Sequence, residues 1–158
     1  MRDEPITESQ VASHPGHRLL EVLVGRWHTS GRTYASPSAP SAEIDATDTY
    51  EWLPGGLGLL HTVDGRIGDA RVEAAEVIEY DPSRDAYVTR EVGTDRSQSY
   101  VARSTEENGA LVWRMQSDRD QFTGVFEEDG TTISGCWELR GADGRWRPLM
   151  EITLTKAR

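Results

Sequence analysis

The chain has 158 residues, of which 36% are hydrophobic and 28% are charged. A chain of roughly 100 to 200 residues makes one hydrophobic core, and this composition is typical neither of a membrane protein nor of a disordered chain. The 17 Lys and Arg against 27 Asp and Glu leave a net charge of −10, which disfavours nucleic acid and anionic membrane surfaces as partners because both attract cations.

The first predicted elements are a polar tail and a short helix. Residues 1–16 show no apolar periodicity, so we expect a flexible N-terminal tail. The tail lacks the apolar stretch of a secretory signal, and no apolar run in the chain is long enough to span a membrane, so a cytoplasmic location is expected. Over residues 17–24, Leu19, Leu20 and Leu23 recur at helical spacing, which predicts one amphipathic helix.

Ten short strands are predicted after this helix. Segments of alternating polarity are separated by turn residues, in which Gly or Asn supplies a positive φ and Pro supplies a preset φ. One of these predicted turns is Asp64-Gly65. The predicted strands cover residues 26–34, 43–53, 57–64, 71–80, 86–92, 98–104, 110–117, 120–127, 131–140 and 146–155.

The short connections determine how these strands pair. A parallel crossover needs a helix-sized link, so consecutive strands pair antiparallel as a meander. Closing the sheet removes its two exposed edges, which favours a barrel; a two-sheet sandwich is the alternative, but it usually needs longer crossings. Residues 17–158 are therefore predicted to form a single all-β domain, a closed antiparallel meander barrel of about ten strands with a short N-terminal helix.

Three short motifs carry a resemblance to a known superfamily. They are Gly25-Arg26-Trp27 after the helix, Tyr50-Glu51-Trp52-Leu53-Pro54-Gly55-Gly56, and Glu79-Tyr80-Asp81-Pro82. In this order the motifs resemble the lipocalin and calycin barrels, and in particular a bacterial calycin-like family whose function is not known. The resemblance implies that the indole of Trp27 closes one end of the barrel.

The same region is distantly similar to nitrobindin, a ten-stranded haem barrel that begins with G-x-W-x-G-x-G. Gly25, Trp27 and Gly31 match that pattern, whereas Thr29 stands at a position where the pattern has Gly. Nitrobindin-like proteins take their iron ligand from a histidine near the C-terminus, but no histidine follows His61 in this chain. We therefore expect no haem and no other cofactor.

Three ionisable residues interrupt the predicted apolar lining of the barrel. Because side chains alternate across a strand, Asp48, His61 and Glu76 fall on the inward faces of three consecutive strands. If the registers align, the imidazole lies between two carboxylates, which fixes its tautomer and raises its pKa. The structural alternatives are a hydrogen-bonded core His61, an outward-facing Glu76 and a loop-capping Asp48.

An interior cavity is also predicted. A barrel of ten strands encloses more volume than one of about eight, which side chains can just fill. Small inward residues, namely Ala46, Ala74, Gly124 and Gly135, are expected to leave room. The candidate ligand-binding residues are Tyr50, Trp52, His61, Trp113, Phe122, Trp137 and Met150.

Two functions of different classes fit these features. The first is a module that binds a small apolar or aromatic ligand in the cavity. The second is a cofactor-free isomerase or cyclase in which His61, with Glu76 and Asp48, performs acid/base catalysis. A third option is an interaction protein with an exposed flank or a homodimer interface. Cys136 is the single cysteine, and no zinc motif is present, so no metal is expected.

Overall fold

The computed structural model describes residues 15–93 and 98–158. The predicted N-terminal tail lies almost entirely outside the described residues. One helix, α1, spans Pro15–Leu23, and the prediction of a short helix followed by ten strands is confirmed. The strands are β1 Gly25–Thr33, β2 Glu43–Trp52, β3 Gly58–Ile67, β4 Ala70–Asp81, β5 Ala86–Glu91, β6 Ser99–Glu107, β7 Ala110–Gln116, β8 Asp120–Phe126, β9 Thr132–Arg140 and β10 Trp146–Lys156.

The sheet is a closed antiparallel barrel, as predicted. Each strand pairs with the next along the chain, and β10 returns to pair with β1. This closing seam runs from Trp27 opposite Lys156 to Thr33 opposite Met150. Every strand therefore has a neighbour on each side, although the short β5 pairs only with residues 76–81 of β4 and residues 99–102 of β6.

The end of β3 differs from the prediction. The strand does not turn at Asp64-Gly65 but continues to Ile67, and the chain reverses at Gly68, whose φ is +58°. Gly65 lies opposite Ala46 in β2, and a Cβ at Gly65 would lie 2.4 Å from the Cα of Ala46. Glycine is required there by the close approach of two strands and not by a turn.

Helix α1 covers the end of the barrel where β1 begins and β4 ends. The hydroxyl of Tyr87 donates to the carbonyl of Gly16 at 2.6 Å, and the indole of Trp27 donates to the carbonyl of Leu23 at 2.7 Å. Trp27 and Leu20 are fully buried. The helix and the indole together close this end of the barrel.

The inward glycines of β8 and β9 do not leave the space that was predicted. A Cβ at Gly135 would lie 2.4 Å from ring atoms of Phe122, and one at Gly124 would lie 2.8 Å from the same ring. The two glycines therefore accommodate the Phe122 ring. Among the four small inward residues, Ala74 lines the interior cavity described next.

Candidate functional site

An interior cavity of about 220 Å³ occupies the barrel. It extends from Leu23 of α1 to Ala74 near the start of β4, and the exposure of Ala74 indicates that the cavity opens to solvent there. Most of its wall is apolar or aromatic. The lining residues are Leu23, Asp48, Tyr50, His61, Val63, Ala74, Ala75, Glu76, Ile78, Thr89, Glu91, Tyr100, Trp113, Met115, Phe122, Phe126, Ile133, Trp137, Ile152 and Leu154.

Strand register brings the three predicted ionisable residues together on one wall. Tyr50 of β2 lies opposite His61 of β3, and His61 lies opposite Glu76 of β4. Asp48 precedes Tyr50 by two residues and so shares its face of β2. All three side chains are largely buried, with exposed fractions of 9% for Asp48, 12% for His61 and 15% for Glu76.

Both nitrogens of the His61 ring contact a carboxylate. Nε2 lies 2.7 Å from Oδ1 of Asp48, and Nδ1 lies 2.7 Å from Oε1 of Glu76. The second oxygen of Asp48 accepts a hydrogen bond from the hydroxyl of Thr29 on β1. Four neighbouring strands thus contribute to one hydrogen-bonded cluster, Thr29–Asp48–His61–Glu76.

The contacts of this cluster determine the charge of His61. A neutral imidazole has one nitrogen without a hydrogen, and that nitrogen would face an ionised carboxylate without a donor between them. Burial lowers the pKa of His61, but the hydrogen bonds to Asp48 and Glu76 outweigh burial and raise it to about 9. With His61 protonated, the cluster pairs one imidazolium with two carboxylates.

Tyr50 packs directly on the imidazole. The two rings are stacked, with centroids 4.1 Å apart and planes inclined by 5°. Burial, together with the charges of Asp48 and Glu76, raises the pKa of Tyr50 well above its ordinary value. Its phenol therefore stays protonated and remains a hydrogen-bond donor at neutral pH.

Two polar atoms in the cavity wall lack a hydrogen-bond partner among the described residues. The hydroxyl of Thr89 is one of them, although Thr89 is 0% exposed. The second oxygen of Glu76 is the other, since its hydrogen bond to His61 uses Oε1. A buried polar group without a partner is costly. This cost applies to the Thr89 hydroxyl only, because the second oxygen of Glu76 is not among the fully buried atoms that lack a partner.

The predicted site residues divide into two groups. Asp48, Glu76, Tyr50, His61, Trp113, Phe122 and Trp137 line the cavity. Trp52 lies at the end covered by α1, with its ring edge-on to His17 at 6.5 Å, and Met150 lies on β10 opposite Trp137. Neither Trp52 nor Met150 belongs to the cavity wall.

Four further polar residues were missed by sequence reasoning. Thr29 anchors Asp48, while Thr89, Glu91 and Tyr100 line the cavity. Thr29 carried a signal, because it is the position at which the chain departs from the glycine of the nitrobindin pattern. Alternation in β5 also places Thr89 and Glu91 on one face, although the six-residue strand shows this pattern weakly.

The cluster has clear consequences for metal chemistry. Because each nitrogen of His61 is hydrogen-bonded to a carboxylate, neither is free to coordinate an iron or zinc ion. Within residues 15–93 and 98–158, no group of three His, Cys, Asp or Glu side chains is arranged to hold a metal ion.

The helix found in these residues is too short and too polar to cross a membrane.

Fold and cavity together define a lipocalin/calycin-like barrel. The chain belongs to the DUF1579 family, described as a protein of unknown function, whose family model matches residues 12–123. None of the curated protein sequences to which the chain was compared matches it.

Solved structures with the same fold have very different sequences. Rv2717c from M. tuberculosis superposes with a TM-score of 0.66 at 13% identity, over 92% of this chain and 99% of that one. The S-type phycobiliprotein lyase CPES from Guillardia theta gives 0.61 at 12% identity, over 98% and 99%. A DUF3598 protein of unknown function from Nostoc punctiforme gives 0.53 at 12% identity, over 87% of this chain and 49% of that one.

Proposed function

We propose that this barrel binds a small, largely apolar ligand in its interior cavity. The observation that carries the proposal is a cavity of about 220 Å³ whose wall is mainly aromatic and aliphatic but contains one buried cluster of polar groups. Small-molecule sites typically combine an apolar wall, which supplies affinity, with a few fixed polar groups, which orient the ligand.

The cavity volume limits the size of the ligand. An engineered apolar cavity of about 150 Å³ holds benzene, whereas sites for drug-sized molecules enclose roughly 300 to 1,000 Å³. At about 220 Å³, this cavity suits a molecule of one ring or two fused rings. The residues proposed to contact it are Tyr50, His61, Trp113, Phe122 and Trp137.

The hydrogen bonds of His61 favour binding over catalysis. An acid/base catalyst must pass a proton to a substrate atom, yet both nitrogens of His61 already contact carboxylates at 2.7 Å. An isomerase or cyclase would have to break one of these hydrogen bonds in each cycle. Orientation of a ligand by the cluster requires no such rearrangement.

The proposal also includes a cellular location, the bacterial cytoplasm. A bacterial cytoplasm agrees with a chain whose single Cys136 cannot form an intrachain disulfide. The named activity of one structural neighbour, a phycobiliprotein lyase, agrees with ligand binding or transfer in such a barrel. The cavity is built within one chain, so binding does not depend on a homodimer.

Cavity-filling substitutions test the proposal. We expect tryptophol, a neutral two-ring probe, to bind the wild-type protein in isothermal titration calorimetry. Val63→Trp and Ile152→Trp fill the cavity from two walls and should each abolish the binding. Val125→Trp is the matched control, because Val125 is 38% exposed on β8 and does not line the cavity.

Two results would contradict the proposal. The first is wild-type protein that binds neither tryptophol nor its amine and carboxylate analogues, tryptamine and indoleacetate. The second is undiminished binding in both cavity-filling variants, after circular dichroism has shown them to be folded. Native mass spectrometry of the wild-type protein provides a second readout, since a copurified small molecule should be present and should be lost in Val63→Trp.

A further inference from the structure

We propose that the ligand is a small organic cation, with an apolar or aromatic body and a protonated amine at one end. This inference rests on the proposed function and names the chemical class of the ligand. The amine is placed at Glu76 and Thr89, and the apolar body lies along the aromatic wall.

The charge of the cavity wall favours a cation. The cluster of Asp48, His61 and Glu76 pairs two carboxylates with one imidazolium and so has an excess of one negative charge. No Lys or Arg among the described residues lines the cavity. The carboxylate of an anionic ligand would find no described cation other than His61, whose two nitrogens are already hydrogen-bonded.

The hydrogen-bonding capacity of the cluster favours a donor. Both oxygens of Asp48 are occupied, one by His61 and one by Thr29. Glu76 uses one oxygen for His61 and keeps the other for the cavity. A carboxylate oxygen accepts hydrogen bonds only, so the group that completes this site must be a donor, and an ammonium group adds the missing positive charge.

Thr89 points to the same place independently. Its hydroxyl is fully buried without a partner among the described residues, and it lines the cavity. Thr89 lies opposite Ile78 on β4, and Glu76 is two residues away on the same face of β4. A diagonal pair on neighbouring strands is about 7 Å apart, so one ammonium group can donate to both side chains.

The aromatic wall is compatible with a cation as well. Tyr50, Trp113 and Trp137 line the cavity with rings whose faces carry negative electrostatic potential. A cation above such a ring gains roughly 0.5 to 2 kcal/mol. Burying an ammonium group costs free energy unless it is paired, and here the carboxylate of Glu76 would pair with it.

Three probes of matched shape test the inference. Tryptamine, tryptophol and indoleacetate share the indole body and present an ammonium, a hydroxyl and a carboxylate. At pH 7 we expect calorimetry to show tryptamine binding on the order of tenfold more tightly than tryptophol. Indoleacetate should bind more weakly than both.

Substitution of Glu76 tests whether this carboxylate, and not the net charge of the protein, causes the preference for tryptamine. Glu76→Gln should weaken the binding of tryptamine more than that of tryptophol and so remove most of the preference, because only the ammonium group loses a charged partner. Glu79→Gln removes the same charge from an exposed position of the same strand and should keep the preference.

Thr89→Val provides a test that does not alter the charged cluster. Valine has the shape of threonine without the unpartnered hydroxyl, so the variant should unfold at higher urea concentration than the wild-type protein. The same variant should bind tryptamine several-fold more weakly. A residue with a purely structural role would not move these two measurements in opposite directions.

The outcomes distinguish this inference from the proposed function. Tryptophol or indoleacetate binding as tightly as tryptamine overturns the inference and leaves a ligand-binding barrel. Absence of binding by all three probes overturns the proposed function itself. An unchanged preference for tryptamine in Glu76→Gln, or unchanged tryptamine affinity in Thr89→Val, overturns the placement of the amine.

Discussion

His61 stabilises the folded protein only while it is protonated. Two carboxylates hold the imidazolium, one from each neighbouring strand, and the hydroxyl of Thr29 holds Asp48 in turn. Removing one partner of a buried ion pair leaves an uncompensated charge, which usually costs about 3 to 5 kcal/mol. The cluster therefore links the stability of β1 to β4 to the protonation of a single residue.

The stability of the protein should fall as the pH rises from 6.5 to 9. The pKa of His61 is about 9 in the folded protein against 6.5 for an ordinary histidine, so the folded state keeps a proton that the unfolded chain releases in this interval. The stabilisation is complete below pH 6.5 and is lost as the pH passes 9. By linkage, the free energy of unfolding should decrease by about 3 kcal/mol, measured by urea denaturation.

His61→Gln is the control for this pH dependence. The variant cannot titrate at this position, so most of the decrease between pH 6.5 and 9 should disappear. Burial raises the pKa of Cys136, and comparison of the two proteins subtracts that contribution because both contain the thiol. A wild-type protein with equal stability at pH 6.5 and pH 9 would contradict the assigned charge of His61.

Sequence reasoning identified three of the four members of this cluster but missed Thr29, and it left the pairing of the side chains open. Alternation along a strand places Asp48, His61 and Glu76 on inward faces. Which residue lies opposite which depends on strand register, and a shift of two residues keeps the same face while changing every partner. Thr89 was missed because a single Thr in a short strand does not differ from an ordinary strand residue.

At the scale of elements, the closing seam between β1 and β10 depends on Gly31. A Cβ at this position would lie 1.9 Å from the carbonyl oxygen of Glu151 and 2.9 Å from the Cα of Ile152. Both are backbone atoms of β10, which cannot move aside as a flexible side chain can. Gly31 is the third residue that matches the nitrobindin pattern. The structure explains this match, because a glycine at this position lets β1 and β10 approach each other closely.

Gly31→Ala should destabilise the protein by about 1 to 3 kcal/mol, because the added methyl group forces the two strands of the seam apart. Urea denaturation of the variant measures this loss. Ser30→Ala is the control on the same strand. Ser30 is exposed, so its replacement should change the free energy of unfolding by less than about 0.5 kcal/mol. Equal stability of the two variants would show that the seam tolerates a side chain at position 31.

Element boundaries could be predicted where turn chemistry was unambiguous. The Asn108-Gly109 turn between β6 and β7 has φ values of 51° and 80°, as expected for a tight hairpin. Asp64-Gly65 has the same kind of sequence but lies within β3. Sequence alone cannot distinguish a glycine needed for positive φ from one needed for close strand approach, because the second depends on Ala46 of another strand.

At the scale of the whole molecule, the C-terminus and α1 lie at the same end of the barrel. Nζ of Lys156 donates to the carbonyl of Val22 at 3.0 Å, and the amide of Ala157 donates to the carbonyl of Arg26 at 2.8 Å. The closed sheet therefore begins and ends at one place. The ten strands could therefore pair in the same order if the chain began and ended at a different hairpin.

A circular permutant should fold into the same barrel. Joining Arg158 to Met1 and opening the chain between Asn108 and Gly109 replaces one exposed hairpin by another connection, and loop closure changes stability by only about 1 kcal/mol. The permutant should keep the far-ultraviolet circular dichroism spectrum and the tryptophol affinity of the parent. Opening between Gly135 and Cys136, inside β9, is the control and should prevent folding.

The closure of one barrel end by α1 has a consequence for the kinetics of ligand exchange. If the ligand enters and leaves the cavity past Ala74, association and dissociation cross the same energy barrier. Narrowing this passage with Ala74→Val would then slow association and dissociation by the same factor. Residence time could thus lengthen while the dissociation constant stays constant, and evolution could adjust how long the ligand stays without altering how tightly it is held.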